Sequence, residues 1–97
     1  MAKLFQRIQG LIASGQYAIC QHAMERLEER GIMEWQLIAA MPEAELLSER
    51  PKAKPNPAIE VEILLPDAME CKAVWSHLKQ SKVAKLVTVH FFDEEWQ

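Results

Sequence analysis

The residues whose types and spacing suggest chemistry are His22, Arg26, Glu29 and Arg30, within the run His22-Ala23-Met24-Glu25-Arg26-Leu27-Glu28-Glu29-Arg30-Gly31-Ile32. At about 100° per residue, a helix over this run gathers Ala23, Met24 and Leu27 on one side. It gathers His22, Arg26 and Glu29 on another, flanked by Glu25 and Arg30. Residues three and four apart touch on a helix surface, so an imidazole, a guanidinium and a carboxylate stand within one or two turns of each other. Imidazole exchanges a proton near neutral pH, and guanidinium offers a fixed fork to a phosphate. Such a group suits phosphodiester cleavage without a metal: His22 takes the proton of a ribose hydroxyl, and arginine stabilises the charge gathering on phosphorus. The same spacing fits a second reading. Glu25, Glu28 and Glu29 with Arg26 and Arg30 also form the ion pairs of a solvated helix face, each contributing about 0.2–0.5 kcal/mol.

Other candidates lie in the second half. His77 and His90 fall near strand ends, where either could join a site over a sheet as a second proton donor. Thr88 is a strand former that could serve the same site, and Arg50, Lys52 and Lys54 make a basic loop able to touch an acidic partner or a phosphate backbone. Trp75 and Phe91 sit in strand runs and read as core. Cys20 and Cys71 belong to no CxxC pair and read as reduced thiols, one at a helix entrance and one in a strand. His22, His77 and His90 include no i, i+4 pair and have no cysteine at zinc spacing, so neither a metal nor a cofactor is expected.

The elements that position these residues follow from periodicity. Leu4, Ile8, Leu11 and Ile12 form one apolar stripe of a helix over residues 3–14, stopped by Gly15. A short extended piece, residues 17–20, leads into the motif helix over residues 21–30, which ends at Gly31. A third helix over residues 33–41 turns Trp35, Ile38, Ala39 and Met41 inward and ends before Pro42. From Ala44 the period becomes that of strands. Residues 44–49 suit a first strand, and three prolines in residues 50–57 make a loop. Ile59, Val61, Ile63 and Leu65 then alternate with Glu60, Glu62 and Leu64. A turn over Pro66 to Met69, a strand over residues 71–77, a turn over residues 78–82 and a strand over residues 83–92 complete an antiparallel meander. Helices first and sheet second is the order of an α+β domain, here N-terminal helices packed on a C-terminal antiparallel sheet of three to four strands.

The chain has 97 residues, 49% hydrophobic and 26% charged, which is ordinary for one globular domain and excludes collagen-like, disulfide-scaffold and disordered classes. Its longest strictly apolar run, Leu37 to Met41, is far below the roughly 18 residues of a membrane span, so no membrane partner and a cytoplasmic location are expected. The net charge of −3 runs against a nucleic-acid partner, which calls for a basic domain. The deficit is local, however. Residues 1–57 carry 7 basic and 7 acidic residues, whereas residues 58–97 carry 4 lysines against 7 acids, three of them the consecutive Asp93, Glu94 and Glu95.

The stretch from Tyr17 to Ile32 resembles the s-x-H-A-x-x-R-m-x-E-R-G-I opening of the family called domain of unknown function 4258, with His22, Ala23, Arg26, Arg30 and Gly31 in register. The strand Lys85-Leu86-Val87-Thr88-Val89-His90-Phe91, followed by Trp96, resembles that family's final strand and trailing tryptophan. His90 stands where the family more usually has an aromatic residue. The family is similar in fold to RelE-like and BrnT-like bacterial toxins, ribonucleases with helices on an antiparallel sheet. The resemblance implies a toxin-like endoribonuclease acting on RNA or at the ribosome and paired with a small antitoxin protein. By position it carries over His22, Arg26 and Arg30 as the catalytic residues; the residues themselves add His90 or His77 as a second proton donor, with Glu29, Thr88, Lys52 and Lys54 as further candidates. The competing expectation is a non-catalytic interaction domain related to such toxins, in which the motif helix is only a salt-bridged support.

Overall fold

Period-two alternation after Glu45 sets the architecture. The computed structural model describes residues 3–65 and 70–91, so the Pro66 to Met69 turn, Phe92, the acidic Asp93 to Glu95 and Trp96 lie outside the described residues. Three helices, α1 (Lys3–Ala13), α2 (Gln21–Glu29) and α3 (Glu34–Ala40), precede four strands, β2 (Glu45–Arg50), β3 (Ala58–Leu64), β4 (Glu70–Leu78) and β5 (Val83–Phe91). A further short strand, β1 (Tyr17–Ile19), lies between α1 and α2.

The alternating residues split the sheet into two faces. Ile59, Val61 and Ile63 of β3, Cys71, Ala73 and Trp75 of β4, and Leu86, Val89 and Phe91 of β5 are all buried, and they meet Ile8, Ile12, Leu27 and Leu37 from the helices in one core. Their neighbours Glu60, Lys72, Val74, Ser76 and Lys85 are only half-buried and belong to a second face, which no helix among the described residues covers. Burying one face and wetting the other is the usual arrangement of an antiparallel sheet, and it fixes register, because a slip of one residue would exchange the faces.

The fold is α+β with helices before sheet, but the sheet has five strands in the order β1-β5-β4-β3-β2, not three to four. Strands β2 to β5 pair antiparallel. The fifth member is β1, which pairs parallel to β5 through Tyr17↔Ala84, Ala18↔Lys85 and Ile19↔Leu86, so the sheet is mixed. Three residues carry too little alternation to announce a strand. Their pairing is imposed by the helix ends on either side of them.

At the first of those ends, Gly15 takes φ +81, and the Gly15 and Gln16 N–H groups donate to Ile12 and Leu11 carbonyls. This left-handed closure turns the chain directly out of α1 and along the sheet. A second correction concerns α3. Leu37 is fully buried, while Trp35 is 62% exposed and Ala39 is also exposed, so Leu37 supplies the inward contact that Trp35 was expected to make. The inward set ends with buried Met41, which opens a single 3₁₀ turn, Met41–Glu43, around Pro42. No helix among the described residues is long and apolar enough to cross a membrane.

Leu27 is the largest α2 side chain enclosed by this core, at 1% exposure. Leu27→Ala is expected to lower unfolding free energy by about 2–5 kcal/mol, the range for emptying a leucine site in a packed core. Urea denaturation followed by circular dichroism measures this, with Glu28→Ala on the exposed side of the same helix expected to stay within about 0.5 kcal/mol of wild type.

Candidate functional site

The motif helix lies along the outer edge of β5. Strand β1 pairs with that edge only from Ala84 to Leu86, and beyond it the edge is met by α2 and its leading residue. Cys20 is the N-cap of α2: its N–H donates to the Leu86 carbonyl at 3.1 Å, its Sγ–H donates to the Val87 carbonyl at 3.0 Å, and its Sγ accepts from the Ala23 N–H at 3.4 Å. One turn on, Arg26 Nε donates to the Val89 carbonyl at 3.3 Å. A further turn on, the Arg30 guanidinium sits 4.5 Å from the centroid of the Phe91 ring, a cation–π contact.

The end of the helix is equally determined. Gly31 at φ +68 and Ile32 donate to the Glu28 and Leu27 carbonyls at 3.0 and 2.9 Å, the two hydrogen bonds of a Schellman closure. Ala23, Leu27 and Ile32 are buried in the core. Glu29 is exposed, with its Oε1 3.9 Å from Arg26 Nη1.

His22 differs from the other motif residues. It is exposed, and its Nε2 lies 3.1 Å from Thr88 Oγ1. A hydroxyl can either donate to or accept from a ring nitrogen, so Thr88 can hold the imidazole in orientation while the ring remains open to solvent. Thr88 stands opposite Val74 in the sheet, just past the irregularity where Val87 is inserted between the Thr88↔Val74 and Leu86↔Trp75 pairs. Bulges of this kind re-aim a side chain.

The open sheet face begins at this point. Val74, Val87, Ser76, Lys85, Arg50 and Lys54 are among the residues lining a depression of about 360 Å³ between the strands and the proline loop. Arg50 pairs with Glu60, Lys72 approaches the same carboxylate at 3.6 Å, and Glu62, opposite Lys72, is a second acid on this face. Lys54 and Lys85 have no acidic partner among the described residues. The depression itself is lined by the cations Arg50, Lys54 and Lys85 and by no acid.

The other expected site residues fall in three places. His90 is exposed on the same side of β5 as Thr88 and opposite Lys72. Lys52 and Lys54 are exposed in the loop, Lys54 facing the depression. His77 does not join them. Strand alternation places it on the helix-covered side beside Trp75, 7% exposed, with Nδ1 lacking a hydrogen-bond partner among the described residues. Sequence reasoning missed Lys72, Ser76 and Lys85. The signal for them was present in the alternation of β4 and β5, which puts residues 72, 74 and 76 on one face and pairs Ser76 with Lys85.

Cys71 is fully buried in the core, and burial pushes its thiol up to about 11, which keeps it protonated and unreactive. Among the described residues no group of three or more His, Cys, Asp or Glu side chains converges as a metal site. Comparison with protein-family models, with curated proteins and with solved structures finds no match to this chain.

His77 makes a testable contribution to stability. Burial, then the charges of Arg7 and Lys79, hold its pKa below the ordinary 6.5. The folded state therefore favours neutral imidazole, and its stability is fully present above the unfolded pKa and lost as the pH falls below about 6.5. Unfolding free energy measured by urea titration between pH 7.5 and 5 is expected to decline. His77→Gln is expected to flatten that decline, whatever its effect at pH 7.5.

Proposed function

We propose that this chain is a toxin-like, metal-independent endoribonuclease that lays single-stranded RNA across the open sheet face and cleaves it beside His22. The observation that carries this reading is the exposed His22 imidazole, 3.1 Å from Thr88 on the strand whose Lys85 and Val87 line a depression with Arg50 and Lys54. Neutral His22 takes the proton from a ribose 2′-hydroxyl. The resulting oxygen attacks the adjacent phosphorus, the bond to the 5′ oxygen breaks, and a cyclic 2′,3′-phosphate remains on the upstream fragment. Lysine and arginine on the sheet face balance the charge on the phosphoryl oxygens. His90, exposed on the same side of β5, is the group that returns a proton to the departing 5′ oxygen.

In this reading the roles of the motif arginines shift. Arg26 and Arg30 hold α2 against β5 and so fix the position of His22. The cations that meet phosphate come from β2, the proline loop and β5. The resemblance to domain of unknown function 4258 and to RelE-like and BrnT-like toxins supports the same assignment. It implies action in the cytoplasm, on free or ribosome-bound RNA, with a small antitoxin protein as partner.

A second reading is favoured by one specific observation: Arg26 and Arg30 already have structural tasks along β5, and Ala23, Leu27 and Ile32 in the core. On that reading the chain is a non-catalytic interaction domain of the same architecture, and His22 is a surface residue.

Cleavage of labelled RNA, free and ribosome-bound, separates the two. The nuclease reading expects cyclic-phosphate ends, insensitivity to chelators and a loss of roughly 10²–10⁴-fold in rate for His22→Ala, the usual worth of a general base. Thr88→Val is expected to reduce the rate less, by about tenfold, through loss of imidazole orientation. RNA bound without cleavage assigns the chain to the second reading, and cleavage that survives His22→Ala overturns the role of His22.

A further inference from the structure

The charge on this chain is segregated more sharply than its total suggests. Between Arg50 and Ile59, and again between Cys71 and Phe92, the sequence contains no acidic residue, yet these two stretches hold Arg50, Lys52, Lys54, Lys72, Lys79, Lys82 and Lys85. The antiparallel pairing of β3 with β4 brings the loop over residues 51–57 and the turn over residues 79–82 to one end of the sheet, because Ala58 pairs with Ser76 and the His77 N–H donates to the Pro57 carbonyl at 2.9 Å. Lys79 from the β4–β5 turn lines a cavity of about 390 Å³ with Lys52, Lys54 and the loop prolines. Lys52, Lys54, Lys79 and Lys82 are all exposed. A chain of net charge −3 thus carries a basic pole made of two loops.

We infer that this pole docks the phosphate backbone of a double-helical nucleic acid segment, contacting it through charge and shape without reading bases. The composition of the surface selects that partner. Protein interfaces are depleted in lysine and centre on aromatic or other large apolar anchors. The large hydrophobic residues exposed among the described residues are Met33, Trp35, Leu47 and Leu64, and none of them lies in the loop over residues 51–57 or the turn over residues 79–82. A row of duplex phosphates is held by charge and needs no stacking platform, and neither loop contains an aromatic residue. Lysines around a polar cleft with no stacking platform match a duplex backbone, whose contacts are mostly ionic and wet. This inference rests on the reading of the chain as an RNA-binding protein but not on catalysis. The duplex stem of a folded RNA would sit on the pole while an adjoining single strand crosses the sheet face.

The test is the salt dependence of binding. A fluorescein-labelled 20-base-pair duplex without a single-stranded overhang, made as RNA and as DNA of two unrelated sequences, is titrated by anisotropy from about 50 to 200 mM salt. Wild type is expected to bind the duplexes alike within about threefold, with affinity falling as a power of salt concentration of roughly 3 to 5. Lys52→Gln, Lys79→Gln and Lys82→Gln are each expected to reduce that power by about one, and the triple variant by about three. Unchanged circular dichroism shows that the variants are folded. His22→Ala is expected to leave duplex binding unchanged, so a failure of catalysis and a failure of docking give different results. The inference is overturned if the triple variant keeps the wild-type salt dependence. It is also overturned if poly-glutamate or phosphatidylserine vesicles bind the pole as tightly as the duplexes do.

Discussion

The constraint on which the rest of the structure depends is the unsatisfied outer edge of β5. An edge strand presents carbonyl and N–H groups that must be paired, covered or left to water. Here the three residues of β1 pair one half of the edge, and the chain leaving β1 becomes the helix that covers the other half. Cys20 serves both the Leu86 and Val87 carbonyls while capping α2, and Arg26 reaches the Val89 carbonyl. The helix is thereby held by polar groups on one side and by Ala23 and Leu27 in the core on the other. Moving α2 along its axis would cost both sets of contacts together, which is why this helix is an accurate platform for a side chain at its first turn.

That geometry resolves a tension within the motif. Arginine spaced four residues from histidine and four from a second arginine was expected to place all three on a phosphate, or else to neutralise neighbouring glutamates. The outcome is neither in pure form. The i, i+4, i+8 row runs along β5, so its members meet successive residues of the strand: Thr88 for His22, Val89 for Arg26, Phe91 for Arg30. A guanidinium bonded to a carbonyl and one stacked on a ring are poorly placed to follow a moving substrate. The imidazole at the start of the row has a hydroxyl partner among the described residues and remains exposed.

Much of this architecture was legible in the residues, and for identifiable reasons. Ile59, Val61 and Ile63 alternate with charged residues, so the buried face of β3 could be read directly, and all three are fully or almost fully buried. Gly15 and Gly31 end their helices through left-handed closures that need glycine. What could not be read was non-local. Strand β1 is too short to show a period, and its pairing depends on β5, more than sixty residues away. Trp35 looked like core because it is large and apolar, but helix phase, set by Leu37 and Met41, leaves it outside. The place of His77 was readable in principle, since it shares the parity of Cys71, Ala73 and Trp75 on β4, yet a polar residue at a strand end biases the reader towards solvent.

The candidate site shows the same division between local and assembled information. His22 and Thr88 were both recognisable by residue type, but their proximity across 66 residues is created by the bulge at Val87 and by α2 lying on the strand edge. The cations of the open face were harder to see, because a lysine in a strand reads as ordinary solvation until its neighbours are known. Once register is fixed, Lys85 stands opposite Ser76, beside a loop whose prolines prevent it from extending the sheet. The net charge of −3 is then no guide to what this face can bind. Screening limits the reach of exposed charges to about 8–10 Å at moderate salt, so a polyanion at the proline loop responds to the charges near it and not to the total. Charge distribution set by strand pairing, and not overall charge, decides which partner this surface can accept.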